Sequence, residues 1–198
     1  MKGFTLVELM VSIAIFALMT ALVVAKYGNF NQSVLLTNLA YEVALTIRTA
    51  QTYGLSVKNS SDVSPTPVFK SAYGVTIGTQ SISCGGGTGN INSQQFVMYA
   101  DTNVPLSICD PGDTLISTFA IKRGGYVYAV CVGSPGSCPF NTNATLDISF
   151  KRPDPRATIC ISGGACTNTY AEIQLKAPDG NTRRVAIRNN GQISIVDY

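Results

Sequence analysis

Histidine is missing from this 198-residue chain, and with it go the commonest general base, proton shuttle and metal ligand of protein active sites. Charge is scarce as well: Asp, Glu, Lys and Arg make up 13% of the residues, against roughly 25% in an average soluble domain. That deficit points to surface covered by a membrane or by partners. Fourteen basic and eleven acidic residues leave a net charge of +3, spread along the chain, too weak a global field to imply nucleic acid. Neither a Gly-x-Ser-x-Gly elbow nor a Ser-x-x-Lys motif occurs, so nothing marks a nucleophile. We therefore expect no enzyme, no catalytic residue, no cofactor and no small-molecule substrate. At the usual ~100–200 residues per domain, the length allows one sizeable core with an appendage.

Six cysteines are present: Cys84, Cys109, Cys131, Cys138, Cys160 and Cys166. An even count, all beyond the apolar N-terminal segment, suits disulfides in an oxidising compartment. Metal binding competes poorly, because the spacings Cys-x6-Cys and Cys-x5-Cys lack histidine and are not the short Cys-x2-4-Cys knuckles of structural zinc. We expect no metal. Six cysteines allow fifteen pairings, which sequence cannot choose among. Cys131 with Cys138 and Cys160 with Cys166 are local candidates, since each pair brackets a glycine-containing turn.

Residues 9–25, LMVSIAIFALMTALVVA, contain no charge, glycine or proline. With Phe4 to Val7 added, and at ~1.5 Å per residue, they can cross a ~30 Å hydrocarbon layer as a helix. Lys2 and Lys26 flank the run, so orientation rests on the cysteines, which place the head outside. Three readings compete. A secretory signal cut near Val23-Val24-Ala25 leaves Glu8 unexplained. A plain signal anchor leaves that carboxylate near lipid, at ~2.5–3.5 kcal/mol or more towards a bilayer centre. The third reading rests on the run Lys2-Gly3-Phe4-Thr5-Leu6-Val7-Glu8-Leu9.

That run closely resembles the signal of type IV prepilins. The resemblance implies cleavage after Gly3 by a prepilin peptidase, N-methylation of Phe4, and retention of the apolar helix on the mature protein. It implies further that Glu8 pairs with the α-amino group of Phe4 on a neighbouring subunit and sets axial register. Expected partners are other pilin or pseudopilin subunits, the peptidase, and an inner-membrane assembly platform with its ATPase. The chain would sit as a single pass in the bacterial inner membrane, its head periplasmic or extracellular. The leader of three residues with one lysine is shorter and less basic than most of its kind.

Four segments follow: a leader at 1–3, a transmembrane and assembly helix at 4–25, its amphipathic continuation at 26–56, and a β-rich head at 57–198. In the continuation, Leu36, Leu39, Ala40, Val43, Ala44, Ile47 and Ala50 recur with helical period on one face, while Glu42, Thr46, Arg48 and Thr49 fall elsewhere. Gly28 is a candidate kink, and Gly54 with Asn59-Ser60-Ser61 should end the helix. Residues 39–57 resemble the corresponding helix of the minor pseudopilin H of type II secretion and of the T-type fimbrial minor pilins.

Beyond Val57, short alternating runs between Gly, Pro, Asn and Asp clusters predict strands near 73–77, 95–99, 115–122, 126–132 and 146–150. Residues 171–177, 183–188 and 192–196, joined by Pro178-Asp179-Gly180-Asn181 and Asn189-Asn190-Gly191, predict a three-stranded antiparallel meander. Its layout also resembles the C-terminal part of the pseudopilin H group. The expected class is α+β: a long N-terminal helix packed on an antiparallel, disulfide-stapled head, as in type IV pilins.

Candidate chemistry in the head is thin. The glycine-rich stretch at 84–90 lacks the lysine and strand-to-helix setting of a phosphate cradle. Asp110-Pro111-Gly112-Asp113 lacks the ligand density of a calcium loop and reads as a turn. Basic residues gather at Lys151, Arg152 and Arg156 and again at Arg183, Arg184 and Arg188, where a strand edge could meet DNA phosphates. A solvated strand face is the simpler account, and no arginine follows the turn glycine Gly191, unlike the pattern of DNA-uptake relatives. A minor pilin or pseudopilin is thus the leading reading. A filament-tip adhesin or DNA-uptake receptor on the same scaffold, or a conventionally secreted soluble binding domain, stand as alternatives.

Overall fold

A computed structural model describes residues 3–56, 71–85, 89–102, 109–162 and 166–196. A single helix, α1 (Leu6–Leu55), opens the chain. Thr5 caps it, its hydroxyl oxygen accepting from the Glu8 backbone N–H at 3.3 Å, the spacing of a capping box. The first half, Leu6–Ala25, is apolar, long enough to cross a membrane, and wholly unburied by the rest of the chain. Its hydroxyls are already satisfied: Ser12 donates to the Glu8 carbonyl and Thr20 to the Phe16 carbonyl, both at 2.7 Å. Such back-bonding lets serine and threonine sit in an apolar span without unpaired donors.

The helix runs unbroken across Gly28, where a kink or loosening was expected; one interior glycine costs only ~1 kcal/mol. Beyond it, Leu36, Leu39, Ala40, Val43, Ala44, Ile47 and Ala50 all enter the main core. Thr46, expected off this face, is buried too, its hydroxyl turned back onto the Glu42 carbonyl at 2.9 Å.

The head is built from β1 (Ala72–Gly78), β2 (Ile82–Cys84), β3 (Gly89–Ile91), β4 (Gln95–Asp101), β5 (Thr114–Ala120), β6 (Tyr126–Val132), β7 (Thr145–Lys151), β8 (Asp154–Ile161), β9 (Tyr170–Lys176), β10 (Thr182–Arg188) and β11 (Ile193–Val196). A five-stranded sheet has the order β5-β4-β1-β7-β8, a four-stranded sheet the order β11-β10-β9-β6, and β2 pairs with β3 alone. Every pairing is antiparallel. The second half of α1 lies across β1 and β7 of the larger sheet and β10 and β11 of the smaller. Ile77, Phe96, Leu146, Ile148, Ile173 and Leu175 close the core around it.

The C-terminal meander forms as β9, β10 and β11, turning at Gly180 (φ 91°) and Gly191 (φ 85°). Three strands went unread in the sequence. β2 and β3 are three residues each, and β8 begins Asp-Pro-Arg, an opening that masks a strand. β8 tolerates Pro155 because it is a sheet edge, where a missing N–H breaks no ladder.

The helix ends close to where Gly54 was expected to stop it, one residue later at Leu55, and the Ser56 N–H closes on the Thr52 carbonyl at 3.0 Å. Asn59, Ser60 and Ser61 lie outside the described residues. What Gly54 permits is contact: a Cβ there would stand 2.4 Å from the Phe150 carbonyl oxygen of β7. The Gly54 carbonyl also accepts from the Arg152 N–H at 3.1 Å. Gly54→Ala must therefore push helix and sheet apart. We expect it to lower the stability of the full-length protein by about 2 kcal/mol, as measured by urea denaturation in detergent.

Candidate functional site

The residues of the suspected processing and assembly signal stand together at the free end of α1. Gly3 has open space where a side chain would be, and Phe4 is 75% exposed. Glu8 occupies the first helical turn, where the positive end of the helix dipole favours a carboxylate. Among the described residues no side chain pairs with it. Lys2 lies outside the described residues. The geometry is that of a bare apolar rod with one acid near its tip, an arrangement that is costly in an apolar setting without a counter-charge.

All six cysteines are paired. Cys131 joins Cys138 and Cys160 joins Cys166, with Cα separations of 5.6 and 4.1 Å, and Cys84 joins Cys109 at 5.3 Å. The last pair reaches across 25 residues and sits in a small core of its own with Val97 and Tyr99.

Beneath that disulfide is a buried carboxylate that sequence reading missed. Asp147 of β7 is fully buried, and its Oδ1 accepts from the Thr76 hydroxyl and, at 3.1 Å, from the Cys109 N–H. Asp113 is also buried and accepts from the backbone N–H groups of Asp110 (3.0 Å) and Thr102 (3.2 Å). Asp110-Pro111-Gly112-Asp113 is accordingly a turn, with Asp110 accepting from the Gly112 N–H at 2.7 Å. These carboxylates pin the segment that carries Cys109. Burial pushes Asp147 up to about 7 and raises Asp113 too, while burial and the nearby Asp147, Asp113 and Asp101 hold the Tyr99 phenol well above its ordinary range. Nothing in the sequence marked it: Asp147 alternates with the core residues Leu146 and Ile148 and so reads as an outward position of its strand.

The three arginines suspected of meeting DNA do not form one patch. β10 sets Arg183 and Arg188 near opposite ends of the strand, about 17 Å apart at ~3.4 Å per residue. Arg184 faces Glu172 at 3.5 Å and lies over the Phe140 ring, and Arg188 lies over the Tyr170 ring. Tyr170 in turn donates to Glu172 at 2.5 Å. The other basic group fares differently: Lys151, Arg152 and Arg156 line one cleft of about 380 Å³ with Asn168 and Asn189, although Arg156 is paired with Asp154 at 2.6 Å. Among the described residues no cluster could hold a metal ion.

An apolar, unburied N-terminal helix on antiparallel sheets stapled by three disulfides fits a pilin-like α+β fold. Residues 1–24 match the prokaryotic N-terminal methylation motif, a match confined to the N-terminal apolar segment that supports a type IV pilin-like protein. No curated protein and no solved structure matches the chain.

Asp147 generates a pH prediction. Its folded-state pKa is raised, so the folded head holds this proton more tightly than the unfolded chain. The stability so gained is complete below about pH 4 and is lost as pH rises through about 7. Asp147→Asn, which keeps the acceptor for Thr76 and Cys109, should remove a pH-dependent component on the order of 4 kcal/mol between those limits. The measurement is urea denaturation from pH 4 to 8; Asp113 leaves a smaller slope of the same sign.

Proposed function

We propose that this chain is a minor pilin or pseudopilin, a non-catalytic subunit of a type IV pilus or a type II secretion pseudopilus, nearest to the pseudopilin H and T-type fimbrial group. A prepilin peptidase cuts between Gly3 and Phe4, and Phe4 is then N-methylated. The chain waits as a single pass in the inner membrane with its head outside, and a platform and ATPase insert it into the filament. The observation that carries this reading is the unburied span Leu6–Ala25 with Glu8 at its start. Such a surface is stable only in lipid or among other helices like it. Inside a filament, the freed α-amino group of a neighbouring Phe4 supplies the counter-charge for Glu8, and a desolvated pair of this kind sets the axial step between subunits.

Two measurements test it. Mass spectrometry of the mature protein should find a chain beginning at N-methylated Phe4; a start near Lys26 would instead mark a conventionally secreted domain. Glu8→Ala should abolish incorporation into filaments while leaving the head folded, since stranding the partner charge costs ~3–5 kcal/mol per subunit. Normal incorporation of that variant would sink the reading.

A second reading, a filament-tip DNA receptor, is favoured by the cleft that gathers Lys151, Arg152 and Arg156. It lies at the end of the head away from the span, where the Arg152 N–H meets the carbonyl of Gly54, near the end of α1. Lys151→Ala with Arg152→Ala should then reduce DNA retention with filaments intact.

A further inference from the structure

The end of the head nearest the span is basic, and its basic groups flank the stem of the helix. Lys122 and Arg123, in the β5–β6 connection, line a groove of about 520 Å³ whose other wall is α1 at Gln32, Leu35 and Leu39. Arg183, at the start of β10, lines a second hollow with Ser33 and Leu36 of the same stretch. Lys122 and Arg123 are exposed. The acidic groups nearby are Glu42, further up the helix, and Asp179, in the β9–β10 turn. Positive charge therefore outweighs negative around this rim.

Distance puts the rim within reach of a bilayer. Ser33, in the hollow of Arg183, follows the end of the span at Ala25 by eight residues of unbroken helix, or about 12 Å, and the groove of Lys122 and Arg123 opens at Gln32, one residue lower, and runs up the helix to Glu42. The polar headgroup layer takes up roughly 5–7 Å of that. The remainder is shorter than the ~8 Å Debye length at physiological salt. Arg123 carries a second signal. Its φ is 63°, followed by Gly124 at 82°, a conformation that asparagine or glycine adopts more readily than a long side chain. An arginine held in that strained position directs attention to what its charge meets. The groove also combines a basic lip with an apolar wall of Leu35, Leu39 and Phe119, as an amphiphile requires.

We propose that the rim formed by Lys122, Arg123 and Arg183 docks the head onto anionic phospholipid headgroups, holding the unassembled subunit close to the bilayer around its own helix. The inference rests on the span crossing a membrane, and the test separates the two. The full-length chain is reconstituted into nanodiscs of phosphatidylcholine alone or with phosphatidylglycerol, and backbone amide exchange is followed by mass spectrometry. Exchange at 119–125 and 180–183 should be slower by about fivefold or more when phosphatidylglycerol is present, the weight of a single Lys or Arg at an anionic surface. High salt should erase the difference. So should the combined Lys122→Gln, Arg123→Asn and Arg183→Gln variant, in which Asn suits the backbone at 123 better than Arg. The far turns at 151–153 and 188–191 should not respond. Equal exchange in both discs, or protection that survives in the variant, would overturn the rim while leaving the span intact. Protection by duplex DNA but not by anionic lipid would overturn it in favour of a nucleic-acid surface. Failure of the chain to resist extraction from the discs by carbonate would remove the span, and the rim with it.

Discussion

A twenty-residue apolar helix that nothing in its own chain covers, with a carboxylate in its first turn, is the constraint on which the rest of this molecule depends. Water will not stabilise its sides, and lipid alone does not welcome the acid. The Thr5 cap and the positive end of the helix dipole ease the second conflict locally, but they leave the charge without a counter-ion. An assembly of like helices would resolve both at once. This is why the methylation motif at residues 1–24 and the bare helix point to the same class of protein by different routes.

The same helix does a second, different thing past Ser33. There its alanines and β-branched residues form a narrow stripe, Ala40, Val43, Ala44, Ile47 and Ala50, that lets two sheets close tightly around it. Gly54 marks the limit of that closeness, with strand β7 against its Cα. The one helix thus serves two environments, bare over its first half and enclosed by the head over its second.

Within the head, two buried carboxylates serve as acceptors for backbone N–H groups. Asp147 and Asp113 accept the backbone N–H groups of Thr102, Cys109 and Asp110, and the Cys84–Cys109 bond ties Cys109 to β2. Covalent and polar restraints thus converge on Cys109 and the turn that follows it.

Sequence alone determined what depends on neighbours along the chain. The apolar run, the Gly3-Phe4 and Glu8 signal, the periodic stripe of α1 and the Asp-Gly and Asn-Gly turns of the final meander were all legible, because helix period, turn chemistry and motif spacing are local properties. Tertiary structure alone decided what depends on residues far apart. It placed Asp147 against the backbone of Cys109, 38 residues away in the chain, set Gly54 in close contact with β7, and made a strand of Asp154-Pro155-Arg156 and the residues after it. It also dealt the basic residues differently from their order, setting Lys122 and Arg123 on the helix stem in common with Arg183 while carrying Arg188 off to the other end of the same strand. The physical reason is that a β-strand alternates faces and travels more than 3 Å per residue, so charges adjacent in sequence are soon separated, and only the packing of sheets on a helix says which distant ones they meet.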